Sequence, residues 1–233
     1  MSSIEFEPLT DRQGCTCLIL ARDNADTIRR ALDSALASGC FDEILVLMDI
    51  RSRDGTGRIV HEYRKAANGL VRIIPYRWAD PPNFAEARNY LNLHVRTPYA
   101  FWLDADEELT GTETLRALLN AANGQAFWMT VTSPLPGGSV FNMYQPRLFP
   151  VRPGVIFECP VFERLDWSLE RMGIPSVKTQ KALILHYGYM QNEAVQAKNR
   201  RNAAILRHSL PRYHGGIPQH QHMENQYDRL IGS

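Results

Sequence analysis

Short apolar runs alternate with helically spaced apolar residues through the first half of the chain. Residues 15–21 form a nearly continuous apolar run, and apolar side chains then recur at i, i+3, i+4, i+7 and i+8 from Ile28. The same alternation returns three times, with strands predicted at 44–49, 71–76 and 99–103. Because parallel strands need crossover connections, this alternation predicts an α/β fold with a mostly parallel central sheet flanked by helices.

The pattern changes after residue 122, where regular crossovers stop. Further elements are predicted at 126–132, 140–150 and 155–165 (β-rich), 182–187 (strand) and 193–208 (helix). The predicted organisation is one domain with a polar tail or flap after it: a domain over 1–210, halves at 14–122 and 123–210, and a tail at 211–233. The second half is therefore expected to be β-rich and to shape a second pocket.

Charge and composition exclude several classes of protein. Lys plus Arg (26) nearly balances Asp plus Glu (25), so no global field favours nucleic acid or anionic lipid. The sequence has no run of about 18 apolar residues and no secretory leader, which argues against stable membrane insertion. The four cysteines lack paired C-x-x-C spacing, so reduced thiols and a cytoplasmic location are expected.

The strongest chemical signal is the pair Asp104 and Asp106, directly after the fourth predicted strand. In extended geometry, residues i and i+2 lie on one face, where two carboxylates can share Mn²⁺ or Mg²⁺ with the phosphates of a ligand. The alternative is that both aspartates only cap the helix beginning near Thr110. Residues 21–27 contain no glycine, which excludes the glycine-rich dinucleotide motif and the P-loop after the first strand.

Several segments together carry a resemblance to a known family: 18–28, 42–49, 52–56, 78–89, 102–107, 147–149, 157–158, 161–163, 186–189 and 198–199. In this order and spacing, the chain resembles family 2 glycosyltransferases of the GT-A fold, in the bacterial soluble subset with a short catalytic domain. The resemblance covers about residues 14–208. It implies a nucleotide-sugar donor bound by the first half and an acceptor bound by the second.

The resemblance also implies roles for individual residues. Asp104 and Asp106 would hold the metal on the donor diphosphate, and His186 would complete the metal shell or contact the pyrophosphate. The residues implied to lie near the donor are Ala21, Asp23, Asp49, Arg88 and Asp104. Judged without the resemblance, His186 could equally be a buried core histidine, and Asp49 could stabilise a turn. The basic run 198–201 is typical of a solvated helix face, and the alternative is that it meets an anionic acceptor.

A carboxylate must take the proton of the acceptor hydroxyl, and Glu163 is the first candidate, with Glu158 the second. Both lie in the half expected to border the acceptor, and the family is expected to invert configuration. The sequence departs from the family pattern at two positions. Asp23 replaces the usual asparagine, and Phe162 replaces the usual histidine of Val-His-Glu.

Other functions stay open at this point. UDP-sugar is the expected donor class, and the acceptor could be a protein side chain, a saccharide or a modified nucleic-acid base. A phosphatase or phosphomutase would place its Asp-x-Asp motif after the first strand, whereas here the motif follows the fourth. A non-catalytic nucleotide or carbohydrate binding module of the same fold is the remaining alternative, hinted at by Phe162. The sequence does not indicate the oligomeric state.

Overall fold

The computed structural model describes residues 13–135, 137–188, 192–212 and 217–231. Within these residues, eight strands form one sheet: β1 (Cys15–Ala21), β2 (Glu43–Asp49), β3 (Val71–Tyr76), β4 (Tyr99–Trp102), β5 (Glu107–Leu109), β6 (Ala126–Pro134), β7 (Val140–Pro150) and β8 (Ser176–His186). The α-helices of the same residues are α1 (Ile28–Ser38), α2 (Thr56–Ala66), α3 (Phe84–Asn92), α4 (Thr112–Ala121), α5 (Asp166–Arg171), α6 (Asn192–Ser209) and α7 (Ile217–Ile231).

The sheet has the order β3-β2-β1-β4-β7-β6-β8-β5. Its first four strands are parallel, as the strand–helix alternation predicts. Beyond β4 the sheet is mixed, because β7 is antiparallel to β4 and to β6, β8 is parallel to β6, and β5 is antiparallel to β8. The predicted α/β fold, with a parallel first half and a β-rich second half, is confirmed.

The core has a layer on each face of the sheet. β1 is buried along its whole length, and its side chains alternate between the two layers. Cys17 and Ile19 pack with α1 and α4 on one face, whereas Leu18 and Leu20 pack with α3 and α5 on the other. Burial on both faces explains why these parallel strands read as continuous apolar runs.

The short strand β5 is absent from the sequence prediction. It has three residues, two of them glutamates, so it carries no apolar pattern of its own. Its partner is β8, far along the chain, and Glu107 pairs with His186. This long-range pairing places His186 beside the segment that carries Asp106.

The predicted β-rich segment 155–165 is wrong. The chain there forms only an isolated bridge between Glu158 and Arg164, each of which donates its backbone N–H to the other's carbonyl at 2.9 Å. Between them, Cys159 and Phe162 have φ values of 70° and 56°. Positive φ is incompatible with a strand, so the apolar residues here form a tight loop.

The segment 211–233, predicted as a polar tail or flap, is largely helical. Helix α7 occupies most of this segment and packs against α6, while 213–216 and 232–233 lie outside the described residues. Met223 is fully buried, and Tyr227 and Leu230 follow it at helical spacing in a cluster with α6. This apolar stripe is narrow among Gln and His residues, so composition alone hides it. No helix among the described residues is long and apolar enough to cross a membrane.

Candidate active site at the carboxyl edge of the parallel strands

The parallel strands end at one edge of the sheet, and the loops after β1, β2 and β4 meet there. Ala21 and Asp49 are the last residues of β1 and β2, and Asp104 lies just beyond β4. In open α/β sheets this edge is where ligands bind. Ala21 is wholly buried in the core, so the exposed residues at the end of β1 are those of the loop that follows it.

The loops after β1 and β2 are tied together by Asp23. Its carboxylate accepts hydrogen bonds from the Arg53 backbone N–H at 2.7 Å and from the Ser52 hydroxyl at 3.2 Å. Asp23 has a φ of 52°, in the left-handed region that Asp and Asn tolerate better than other side chains. An aspartate in place of the usual asparagine at position 23 is therefore compatible with this loop conformation.

Asp49 is a buried carboxylate between two arginines. Arg22 Nε lies 3.4 Å from Asp49 Oδ2, and Arg51 Nε lies 3.5 Å from Oδ1. The Arg51 backbone N–H also donates to Oδ1 at 3.0 Å. Both arginine side chains are partly exposed, so the edge of the sheet presents two positive charges around Asp49, whose negative charge is ion-paired with them.

Arg88 joins the two halves of the site. It lies in α3, which begins after Asn83, whose side chain accepts the N–H of Glu86 at 3.1 Å and so caps the helix. Arg88 donates through Nη2 to Asp104 at 2.7 Å and through Nε to Glu163 at 2.8 Å. Arg88 is only 6% exposed, and the negative charges of the two carboxylates balance its buried positive charge.

The next residue on α3 fixes the loop that leads to Glu163. Asn89 Nδ2 donates to the carbonyl of Phe157 at 2.8 Å, and Asn89 Oδ1 accepts the N–H of Phe157 at 2.7 Å. This pair of bonds replaces the strand ladder that the segment lacks. Arg88 and Asn89 together set the position of Glu163 relative to Asp104.

Asp104 begins a turn through Ala105 and Asp106, in which the Glu107 N–H donates to the Asp104 carbonyl at 3.0 Å, so the extended geometry predicted for the Asp-x-Asp pair is wrong. Its backbone N–H donates to Glu107 at 2.8 Å, and Glu107 forms a buried two-pronged ion pair with Arg147 at 2.7 Å for each bond. Burial raises the pKa of Asp104, but the charges of Arg88 and Arg147 lower it by more than burial raises it. The resulting pKa is below the ordinary value. Asp104 is therefore ionised at neutral pH.

Asp106 contacts different partners from Asp104. Its Oδ2 lies 3.2 Å from His186 Nε2 and 3.9 Å from Lys198 Nζ, and Ser133 Oγ lies 3.1 Å from His186 Nδ1. Burial raises the pKa of Asp106, while the hydrogen bond from His186 and the charge of Lys198 lower it well below the usual range. His186 is thus a buried histidine that is also in contact with the Asp-x-Asp motif.

The donor atoms of Asp106 and His186 suit a divalent cation. A side chain at Gly188 would place its Cβ 2.6 Å from His186 Nε2 and 2.7 Å from Asp106 Oδ2, so the glycine keeps open the space in front of both atoms. A carboxylate oxygen and an imidazole nitrogen are ligands that Mn²⁺ accepts. Among the described residues, no cluster of three or more His, Cys, Asp or Glu side chains forms a complete metal site.

The two candidate bases lie in different surroundings. Glu163 contacts Arg88, whereas Glu158 accepts bonds from Arg171 at 2.6 Å and from Gln219 at 3.1 Å, which engages both of its oxygens. Phe162, at the position of the usual histidine, packs in the cluster that holds α6 and α7. The departure at Phe162 thus has a structural counterpart, the anchoring of these two helices.

The family model of glycosyl transferase family 2 matches residues 16–176, more than half of the chain. The chain belongs to glycosyl transferase family 2. The match begins in β1 and ends at the first residue of β8, so it contains Arg88, Asp104 and Glu163 but not His186 or α6. A comparison of this glycosyltransferase with curated protein sequences gives no match.

Solved structures are similar to this glycosyltransferase along nearly all of its length. PcManGT from Pyrobaculum calidifontis, a mannosyltransferase in complex with GDP-Man and Mn²⁺, has a TM-score of 0.61 and 15% identity, covering 94% of this chain and 70% of that chain. S. aureus TarS 1-349 in complex with UDP-GlcNAc has a TM-score of 0.60 and 13% identity, covering 94% and 71%. GalNAc-T7 with UDP, GalNAc and Mn²⁺ has a TM-score of 0.60 and 12% identity, covering 96% and 57%.

These relatives identify the fold of the glycosyltransferase as GT-A. The chain spans 44% of the TarS chain in the longer crystal structure of that protein. The fold is therefore shared with proteins that are longer than this sequence.

Sequence reasoning missed several members of the site. The residues it did not assign are Arg22, Arg51, Glu107, Ser133, Arg147, Gly188 and Lys198. Arg22 and Arg51 follow strand ends, which was an available signal. Lys198 lies in a segment that carries the family resemblance, but its partner could not be read from the sequence, and Ser133 had no signal at all. Only the pairing of β5, β6 and β8 brings Ser133 to His186, and only the packing of α6 brings Lys198 to Asp106.

Proposed function

We propose that this family 2 glycosyltransferase moves a sugar from a nucleotide-sugar donor, with UDP-sugar the first candidate, to an acceptor hydroxyl with inversion of configuration. The observation that carries the proposal is the link through Arg88 between Asp104 and Glu163. One guanidinium group holds the proposed donor-side carboxylate and the proposed base at a fixed separation. Complexes of TarS with UDP-GlcNAc and of PcManGT with GDP-Man support a nucleotide-sugar donor.

The proposed catalytic base is Glu163. Its Oε1 accepts a hydrogen bond from Arg88, so Oε2 would receive the proton of the acceptor hydroxyl as that oxygen attacks the anomeric carbon. The nucleoside diphosphate leaves from the opposite face, which inverts the configuration. Glu158 is the weaker candidate because Arg171 and Gln219 already engage its carboxylate.

The donor would lie along the edge that begins at the end of β1, at Ala21, and continues through the loop of Asp23, Asp49 with its two arginines, and Arg88. Asp104, Asp106 and His186 would hold Mn²⁺ or Mg²⁺, and Gly188 leaves room for it. Such a cation supplies charge stabilisation to the leaving diphosphate. The Mn²⁺ complexes of PcManGT and GalNAc-T7 support a divalent metal. The cysteines are buried thiols, in keeping with a reducing, cytoplasmic setting.

The test is thermal unfolding and calorimetric titration with UDP, GDP, TDP and CDP, each with and without Mn²⁺. We expect one nucleotide to raise the melting temperature only when Mn²⁺ is present, since a ligand at 100 times its Kd contributes about 2.7 kcal/mol. Asp106→Asn should abolish this shift. Asp26→Asn, at an exposed aspartate, is the matched control and should retain it. A lack of stabilisation by every nucleotide would contradict the proposed donor site.

Donor hydrolysis separates the enzyme from the binding module. The protein should hydrolyse its donor slowly in the absence of acceptor, with Mn²⁺ and an intact donor site. Glu163→Gln keeps a hydrogen-bond acceptor for Arg88 but cannot take a proton, so it should bind nucleotide normally and lose acceptor transfer. Binding without hydrolysis or transfer by the unaltered protein would favour the non-catalytic module.

A further inference from the structure

Helix α6 brings a positive charge to Asp106. Lys198 Nζ lies 3.9 Å from Asp106 Oδ2 and 3.5 Å from His186 Nε2. Its side chain is 32% exposed, so it belongs neither to the core nor to a fully solvated helix face. The basic run 198–201 therefore contributes a cation to the candidate active site and is not only a solvated helix face.

Two arginines of the site lie closer to their carboxylate partners than Lys198 lies to Asp106. Arg88 and Arg147 are buried and reach their carboxylate partners at 2.7 to 2.8 Å. The ammonium group of Lys198 is at a longer ion-pair distance from Asp106, and it stands on a flexible four-carbon stem. Lys198 is thus at ion-pair distance from Asp106, on a side chain long enough to reach a ligand bound beside that carboxylate.

A second cation of α6 lies one turn further along the helix. The guanidinium group of Arg201 lies 5.0 Å from the ring centre of Phe84, the first residue of α3. Burial lowers the pKa of Arg201, and the negative charges of Glu163 and Asp106 oppose that effect. The face of α6 with Lys198 and Arg201 is thus directed towards the carboxylates of the site.

We propose that Lys198 is a donor-binding residue that exchanges partners: it neutralises Asp106 in the ligand-free protein and moves to the diphosphate when the donor binds. This inference rests on the proposed function, because it takes the diphosphate of a nucleotide sugar as the ligand. Two consequences follow from the distances. Lys198 competes with a divalent cation for Asp106, and it gives the protein an affinity for diphosphate that does not require metal.

The first experiment titrates Mn²⁺ alone into the protein and follows binding by calorimetry and by the electron paramagnetic resonance signal of free Mn²⁺. Lys198→Met removes the charge, so Mn²⁺ should bind about tenfold more tightly than to the unaltered protein. Arg200→Met is the matched control, because Arg200 is an exposed cation of α6 that lines the groove towards α7. It should bind Mn²⁺ like the unaltered protein. Unchanged or weaker Mn²⁺ binding by Lys198→Met would overturn the proposal that Lys198 and Mn²⁺ compete for Asp106.

The second experiment titrates inorganic pyrophosphate in the presence of EDTA. Lys198→Met should bind it about tenfold more weakly. Lys198→Arg should retain most of the affinity because it keeps the charge, and Arg200→Met should bind normally. Equal pyrophosphate affinity for Lys198→Met and the unaltered protein would overturn the proposal. Urea unfolding of each variant identifies a merely structural role, which would change stability and neither affinity.

The two experiments distinguish this proposal from the proposed function. If neither the unaltered protein nor any variant binds Mn²⁺, the proposed metal site fails, and pyrophosphate binding alone decides the role of Lys198. If Mn²⁺ binds and Asp106→Asn abolishes its binding, the metal site is supported whatever Lys198→Met does. The proposed role of Lys198 is then supported only if Lys198→Met binds Mn²⁺ more tightly and pyrophosphate more weakly than the unaltered protein does.

Discussion

The two sides of the candidate active site are built in different ways. On the proposed donor side, Asp49 ends β2 and Asp104 lies just beyond β4, so the backbone pairing of the parallel strands sets their positions. On the acceptor side, Glu163 lies in a loop without a strand, and two neighbouring residues of α3, Arg88 and Asn89, hold that loop. The sheet makes the donor side rigid, whereas the acceptor side depends on a few side-chain contacts.

The largest expected effect comes from removing the link between the two sides. Arg88→Met leaves Asp104, whose side chain is 31% exposed, and Glu163, whose side chain is 13% exposed, without their shared buried cation, which should cost about 3 kcal/mol of unfolding free energy at pH 7. Urea unfolding measures this loss. Arg58→Met, at an exposed arginine paired with Glu62, is the control and should change stability by less than about 1 kcal/mol. Similar values for the two variants would contradict the bridging role.

The cost of Arg88→Met should depend on pH with a defined sign. In the folded protein, burial raises the pKa of Asp104 but Arg88 and Arg147 lower it below the ordinary value, so its ionised form stabilises the fold. A lowered pKa contributes stability above the unfolded value of about 3.9 and loses it as the pH falls through the folded value. The difference between Arg88→Met and the unaltered protein should therefore shrink below about pH 4. A difference that grows on acidification would contradict this assignment.

A smaller loss of stability is expected from a substitution that loosens the loop of residues 155–165 and leaves the sheet intact. Asn89→Ala leaves the N–H and carbonyl of Phe157 without their partners, at a cost of about 2 kcal/mol. Hydrogen exchange should accelerate in residues 155–165 and stay unchanged in β1. Asn92→Ala is the control on the same helix, since Asn92 Oδ1 has no hydrogen-bond partner among the described residues. Equal acceleration in β1 would show that the loop and the sheet unfold together.

The smallest effect is expected on the donor side, at Asp23. Asp23→Asn keeps an oxygen for the Arg53 N–H and suits the left-handed backbone, so stability should change by less than about 0.5 kcal/mol. Asp23→Val should cost about 1 to 3 kcal/mol because a β-branched residue is strained at this φ. Thermal unfolding compares the two. Equal stability of both variants would argue against the left-handed conformation.

The sequence by itself determined the first half of the fold and the identity of most charged groups in the site. β1 and β3 were predicted with the bounds that the structure shows. β1 is a wholly buried parallel strand and is therefore read from a continuous apolar run, whereas β3 is a partly buried edge strand. Asp104, Arg88, Glu163, Asp106 and His186 were named from motifs, and the structure brings them into two contacting groups. Their chemical roles stay predictions.

Tertiary structure alone decided the partners of these groups. The prediction for 155–165 failed because apolar residues there pack through a loop with positive φ, held by Asn89, and no periodicity records such a contact. The three residues of β5 and the narrow apolar stripe of α7 became visible only against β8 and α6. Lys198 reached Asp106 for the same reason: a sequence fixes which charges exist, but long-range packing fixes which of them meet.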